Sequence, residues 1–217
     1  MNDWKRWWVV LVYASGMAWV EAAAALYLRN LFNHAEPYQA DPFPVIRGMA
    51  QIEVAREAAT LVMLLTVGIL AGRTTRSRLG YTAIAFGVWD IFYYVFLKTM
   101  CGWPHSVMDW DILFLTPLPW WGPVLAPVLI ALLLILWGTL ASQFEPARTP
   151  VLPGKVASAI GALGIVLGLL VFMADSMAAA HLGVEAVRHV LPRSFNRPLF
   201  CCALSLMSVP VLQPLPP

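Results

Sequence analysis

An all-α, polytopic transmembrane helix bundle of five or six spans is the fold class the sequence predicts, and three observations carry that prediction. Of the 217 residues, 60% are hydrophobic and only 12% are charged, about half the charge with which a soluble domain covers its surface. Mean hydropathy is +0.71. The apolar residues gather into runs of about twenty, the length of one bilayer crossing, and Pro-rich or Arg-rich stretches separate the runs. A single integral membrane domain over residues 1–217 is the organisation that fits, with the lipid bilayer as its principal partner.

In order, a basic head (Lys5, Arg6) precedes a first span at about 7–28. A cleaved signal peptide is the rival there, since Ala-rich sequence follows at 22–25. Four Trp within the first nineteen residues and Glu21 beside the cut argue for a retained span. Residues 29–48, with Pro37, Pro42 and Pro44, read as an extended external loop. A second span at about 50–72 ends in the basic hairpin Arg73, Arg76, Arg78, and a third runs over about 79–100. The fourth, about 122–141, is almost purely aliphatic and reads as lipid-facing or as a packing wall. A Pro/Glu/Arg linker (145–155) leads to a fifth at about 156–177, whose Gly161, Gly164 and Gly168 suit close helix contact. Residues 178–190 read as an amphipathic helix. A sixth crossing at 198–215 is marginal in length and carries Pro210.

Basic residues set the expected orientation. With the N-terminus cytoplasmic, Lys5, Arg6, Arg73, Arg76, Arg78, Arg148 and Lys155 lie inside, close to span ends. Arg29, Arg47, Arg188, Arg193 and Arg197 then lie outside, and Trp103, Trp110, Trp120 and Trp121 are expected at the outer headgroup level.

Ionisable groups inside a span are costly, about 2.5–3.5 kcal/mol each on insertion scales, and they face partners or water. Glu21 lies in the first span, Glu53, Arg56 and Glu57 in the second, and Asp90 in the third. At ~1.5 Å per helical residue, Glu21 and Glu57 sit roughly 10 Å below the outer surface and Asp90 deeper. Lys98 and Asp175 fall at the rim. Glu53, Glu57 and Thr60 share one helix face, with Arg56 on its flank, and Glu21 and Glu57 are its candidate partners by height. Asp90 has Tyr94 one turn above as a phenol donor and Gly87 one turn below. Asp111 faces the same end from the loop. The expectation is an outward-facing acidic pocket, with Glu21, Glu53, Arg56, Glu57, Asp90, Tyr94 and Asp111 as candidate ligand-binding residues.

Each of these groups has a plainer reading. Glu21 with Arg56 is equally a buried structural ion pair, Asp90 a carboxylate bonded to Tyr93, Tyr94 or backbone, and Asp109 and Asp111 loop ligands to backbone. His181, Glu185 and His189 recur at i, i+4, i+8, a spacing that suits a metal or the polar side of an interfacial helix. A membrane-embedded metal-dependent enzyme is one alternative function, with Glu57, Asp90 and His181 as weak metal candidates. A non-catalytic subunit of a larger complex, or a homo-oligomer, is the other.

The exclusions are firmer. A net charge of +2 from 14 basic and 12 acidic residues gives no basic field for nucleic acid. Cys101, Cys201 and Cys202 form no disulfide framework. H-E-x-x-H, G-x-S-x-G, a P-loop and G-x-G-x-x-G are all missing from the sequence; which cofactor, if any, the chain uses is left open by the sequence.

Three stretches, VEAAAALYLRNLF in the first span, REAATLVMLL in the second, and GVWDIFYYVFLK…GWP…WDILFLTPLPWWGPVLAP from the third into the fourth, together resemble a family of small multi-pass bacterial membrane proteins, uncharacterised in activity. The likeness covers about residues 15–135. It implies a bacterial inner-membrane location and brings no reaction with it. The best functional expectation is therefore binding or transfer of a proton, a cation or a small polar solute at the pocket.

Overall fold

The structure, a computed structural model, describes residues 2–32, 37–38, 49–143 and 154–212. Its helices are α1 (Asp3–Phe32), α2 (Met49–Ala71), α3 (Thr75–Cys101), α4 (Leu125–Gln143), α5 (Lys155–Ala180), α6 (Val184–Arg188) and α7 (Arg197–Leu212). Two short strands, β1 (Trp110–Ile112) and β2 (Trp121–Pro123), lie between α3 and α4. Helices α1 to α5 are each long and apolar enough to cross a membrane, so the chain is a helical membrane protein. Most of the expected 29–48 loop, including Pro42, Pro44 and Arg47, lies outside the described residues, as does the linker around Arg148.

Helix α3 is the central post, with α1, α2 and α4 packed on it. Along α1 the fully buried positions are Val10, Ala14, Ala18 and Ala22, one stripe at a spacing of four. These small side chains let α1 lie close against Tyr81, Ile84, Ala85 and Val88 of α3. On another side of α3, Gly87 meets α4 so closely that a Cβ there would stand 2.5 Å from the Ala131 carbonyl oxygen. The aliphatic fourth span is thus a packing wall on this side.

Helix α3 starts at Thr75, a turn before the expected 79, because Thr74 and Ser77 form a reciprocal capping box. It ends at Gly102, whose left-handed backbone (φ 80°) turns its N–H back to the Lys98 carbonyl.

Helix α4 starts at Leu125, later than the expected 122. Trp121–Pro123 is committed to an antiparallel pairing in which Trp110, Asp111 and Ile112 oppose Pro123, Gly122 and Trp121. Bonds from the Leu113 N–H to Trp120 O and from the Trp120 N–H to Phe114 O lengthen this hairpin. Its Trp residues also depart from expectation. Trp121 and Trp103 are 2% and 3% exposed, so they pack inside the protein and are not available to a headgroup belt, and Trp110 and Trp120 are half-buried.

Helix α5 runs through to Ala180, and the chain then turns at Gly183 (φ 107°) into the five-residue α6. The expected amphipathic helix over 178–190 is therefore broken. His181 ends α5, while Glu185 pairs with Arg188 (2.9 Å) and His189 (3.8 Å) around α6. The marginal sixth span forms as the 16-residue α7, with Pro210 inside it. At 1.5 Å per residue it reaches about 24 Å, short of a ~30 Å hydrocarbon core. It docks on the expected glycine face of α5: Gly161 meets Pro210, and Gly164 meets Ala203 and Met207.

A methyl group at Gly164 would stand 2.7 Å from both Ala203 O and Met207 N, whereas Gly16 has nothing within 4 Å. Gly164→Ala is expected to cost about 1–3 kcal/mol by overpacking, and Gly16→Ala to be neutral or stabilising by helix propensity. Thermal unfolding of the two variants in detergent, against wild type, measures both.

Candidate functional site

Helix periodicity and the hairpin together bring charge from four elements to one place. Helix α1 supplies Glu21, four residues before Ala25 on the same face, and both line a cavity of about 70 Å³. Helix α2 supplies Arg56, Glu57 and Thr60, and α3 supplies Trp89, Asp90, Tyr93 and Tyr94. The hairpin closes the cavity with Asp111 to Phe114. At about 30 Å³ per water in the liquid, that volume holds about two waters. Of the residues the sequence marks as candidates, Glu21, Arg56, Glu57, Asp90, Tyr94 and Asp111 all line it, and Glu53 stands behind Arg56.

The pairing inside this set differs in part from what height alone suggests. Arg56 is held between Glu21, in direct contact, and Glu53, whose Oε2 accepts from Nε at 2.9 Å. Thr60 donates its hydroxyl to Glu21 Oε2 at 3.2 Å. Glu57, expected to share Arg56, turns instead to the hairpin and accepts the Leu115 N–H on its two oxygens at 3.0 and 3.2 Å. Tyr94, expected to serve Asp90, donates to Asp111 Oδ2 at 3.0 Å. Asp109 is the backbone ligand the plainer reading anticipates, accepting the N–H groups of His105 (2.7 Å) and Ser106 (3.2 Å).

Arg29 completes the group, and the sequence reading assigned it only to the outside. Its guanidinium lies 3.7 Å from Asp111 Oδ1 and stacks over the Trp103 ring at 4.1 Å. The signal was present: Glu21, Ala25 and Arg29 recur at i, i+4, i+8. Asp111 is 3% exposed. Burial pushes its carboxyl above the usual carboxylate range, against the opposing pull of Arg29 and the Tyr94 phenol. Trp89 and Phe114 line the cavity although the sequence does not single them out, and the bond to the Leu115 N–H has no signature in side-chain type.

Asp90 stands apart. It sits deep in the bundle with its remaining free surface on the cavity wall, and none of the described residues donates a hydrogen bond or an ion pair to it. The Tyr93 hydroxyl beside it has no such partner either. The set as a whole holds five carboxylates (Glu21, Glu53, Glu57, Asp90, Asp111) against two guanidinium groups (Arg29, Arg56). Among the described residues no three His, Cys, Asp or Glu side chains come together as metal ligands. His181, at the end of α5, does not line the cavity.

Fold and site together define a helical membrane protein with an acidic, aromatic-walled cavity among its first three helices and a hairpin. The chain matches no protein-family model, no curated protein and no solved structure.

Arg56 joins two helices through charge. A double-mutant cycle on Glu21→Gln and Arg56→Gln, read by thermal or denaturant unfolding in detergent, should give a coupling energy of about 1–3 kcal/mol. That exceeds the ~0.2–1 kcal/mol of a surface pair.

Proposed function

We propose that the cavity binds a small cation, a proton included, with Asp90 as the group that takes the positive charge. We propose also that the chain does this in a bacterial inner membrane, with its N-terminus in the cytoplasm. The observation that carries the first reading is the contrast among the carboxylates. Glu21 and Glu53 hold Arg56, Glu57 holds a backbone N–H, and Asp111 holds Arg29 and Tyr94. Among the described residues, Asp90 alone of these carboxylates faces the cavity with no donor, about 16 Å along the axis from the Cys101 end of α3. A carboxylate at such depth without a partner is a functional position by default, and its missing charge is what a ligand would bring.

Support for the location comes from the three motif stretches and from the basic Arg73, Arg76 and Arg78 at the α2–α3 turn, on the same side as Lys5 and Arg6. That orientation places the exposed Cys101 outside. With Cys201 and Cys202 replaced by Ser, a membrane-impermeant maleimide should label Cys101 in intact spheroplasts. Labelling only after the membrane is opened would reverse the topology.

The cation reading is tested by infrared difference spectroscopy of reconstituted protein. On lowering the pH, or on adding the chloride salt of sodium, potassium or ammonium, a carboxyl-region band should change in wild type and in Glu57→Gln. Asp90→Asn, inserted to the same level, should lack it. Identical spectra for wild type and Asp90→Asn under every condition would remove the reading.

A further inference from the structure

We infer that the ligand of the cavity is a small organic ammonium ion, a primary amine in its charged form, held by Asp90 against an aromatic wall. This rests on the reading that Asp90 takes a cation, and it names which class of cation. Three features of the same cavity carry it.

The wall around Asp90 is built of rings. Trp89 and Tyr93 flank it on α3, Tyr94 is one turn on, and Phe114 comes from the hairpin. An ammonium ion gains from the face of an aromatic ring, most of all where water is scarce. The oxygens in reach complement its N–H groups. The Asp90 carboxylate and the Tyr93 hydroxyl have no partner among the described residues, and the Thr60 hydroxyl, which donates to Glu21, has lone pairs left to accept.

Size and ligand count then separate the candidates. A cavity of about 70 Å³ holds about two waters, or an ion of two or three heavy atoms such as methylammonium. A proton has no use for that room or for the rings. A divalent cation such as calcium asks for six to eight oxygens, and among the described residues no three carboxylate, imidazole or thiol groups are placed to ligate one metal ion. Here most of the oxygens are engaged by Arg, Tyr, Thr or backbone donors, and the rings are many.

The nearby cations do not cancel the attraction. Arg56 is held by Glu21 and Glu53, and Arg29 by Asp111, which leaves one excess negative charge on the Glu21–Arg56–Glu53 group besides those of Asp90 and Glu57. Glu57 is occupied by the Leu115 N–H, so Asp90 is where the ammonium group goes.

Competition among cations decides the matter. Reconstituted wild-type protein is titrated with methylammonium, sodium and calcium chlorides at matched ionic strength, and the Asp90-dependent infrared band is followed. Methylammonium should act at concentrations about tenfold lower than sodium or calcium. Tyr93→Leu should raise the methylammonium concentration required by about tenfold, as loss of one ring face predicts, while Tyr93→Phe, which keeps the ring and loses only the hydroxyl acceptor, should raise it less. Where Tyr93→Leu does not insert, Trp89→Leu removes the neighbouring ring for the same measurement. Sodium or calcium acting first, still through Asp90, overturns the ammonium assignment and leaves the cation reading in place. A methylammonium response indifferent to both rings overturns it as well. No Asp90-dependent response to any cation or to pH removes the cation reading itself.

Discussion

A guanidinium among apolar helices needs opposite charge within reach, and that requirement settles how the first two helices of this protein stand. Arg56 finds two carboxylates, one on its own helix at Glu53 and one across the gap at Glu21. Helices α1 and α2 both rest mainly on α3, so the ion pair is what registers them against each other in height. Desolvation of such a group is costly, and the pair recovers that cost only with good geometry and further hydrogen bonds. Thr60 provides one, donating to the free side of Glu21. Once Glu21 and Arg56 are level, Glu57, one residue further on, faces the hairpin, and the floor of the cavity is set.

The hairpin obeys the same rule for backbone. Non-helical chain inside a membrane protein is tolerated where protein or a cavity satisfies its polar groups. The ladder from Trp110 to Pro123 satisfies most of them. Beyond the ladder the tip reads Leu115, Thr116, Pro117, Leu118, Pro119, and the two prolines remove two N–H groups that would otherwise need acceptors. Of what is left, the Leu115 N–H goes to Glu57 and the Pro119 carbonyl accepts the Ser176 hydroxyl of α5 at 2.6 Å. The tip therefore ties α2 to α5 across the bundle. Glu57 is in that sense a backbone cap delivered by a neighbouring helix.

How much of this was legible follows from which quantity each residue pattern encodes. Span number and depth are written in composition and the 1.5 Å rise, so five helices and the level of Glu21, Arg56, Glu57 and Asp90 could be read directly. Rotation about each helix axis is set by tertiary packing, by the Ala stripe on α1 and Gly87 on α3, and pairings depend on rotation. That is why Glu57 and Tyr94 have partners other than those expected, while Glu21, Arg56, Glu57, Asp90, Tyr94 and Asp111 do line one cavity. Residues 122–124 were apolar enough to join the fourth span because a buried β-strand and a buried helix start look alike in hydropathy. Arg29 was passed over because it lies where a span end and an external loop meet, although its spacing from Glu21 was regular. The α7 contact was legible only from one side: Gly161 and Gly164 announced close approach without saying by what.

Two aspartates, Asp111 buried and Asp90 half-buried, show what distinguishes structure from function here. Asp111 and Asp90 face one cavity from different elements. Asp111 receives a guanidinium and a phenol, and the stacking of Arg29 on Trp103 holds that guanidinium in place. Tyr94, which follows Asp90 by one helical turn, donates its hydrogen bond to Asp111 across the cavity. The nearest phenol on Asp90's own helix face is thereby spent elsewhere, and the stabilisation that a donor would give Asp90 is forgone. A fold selected only for stability would exchange Asp90 for an apolar residue, since an isolated carboxylate in a span costs about 2.5–3.5 kcal/mol on insertion scales. Its presence, with every neighbouring carboxylate satisfied, leaves the vacancy in the charge pattern at one position.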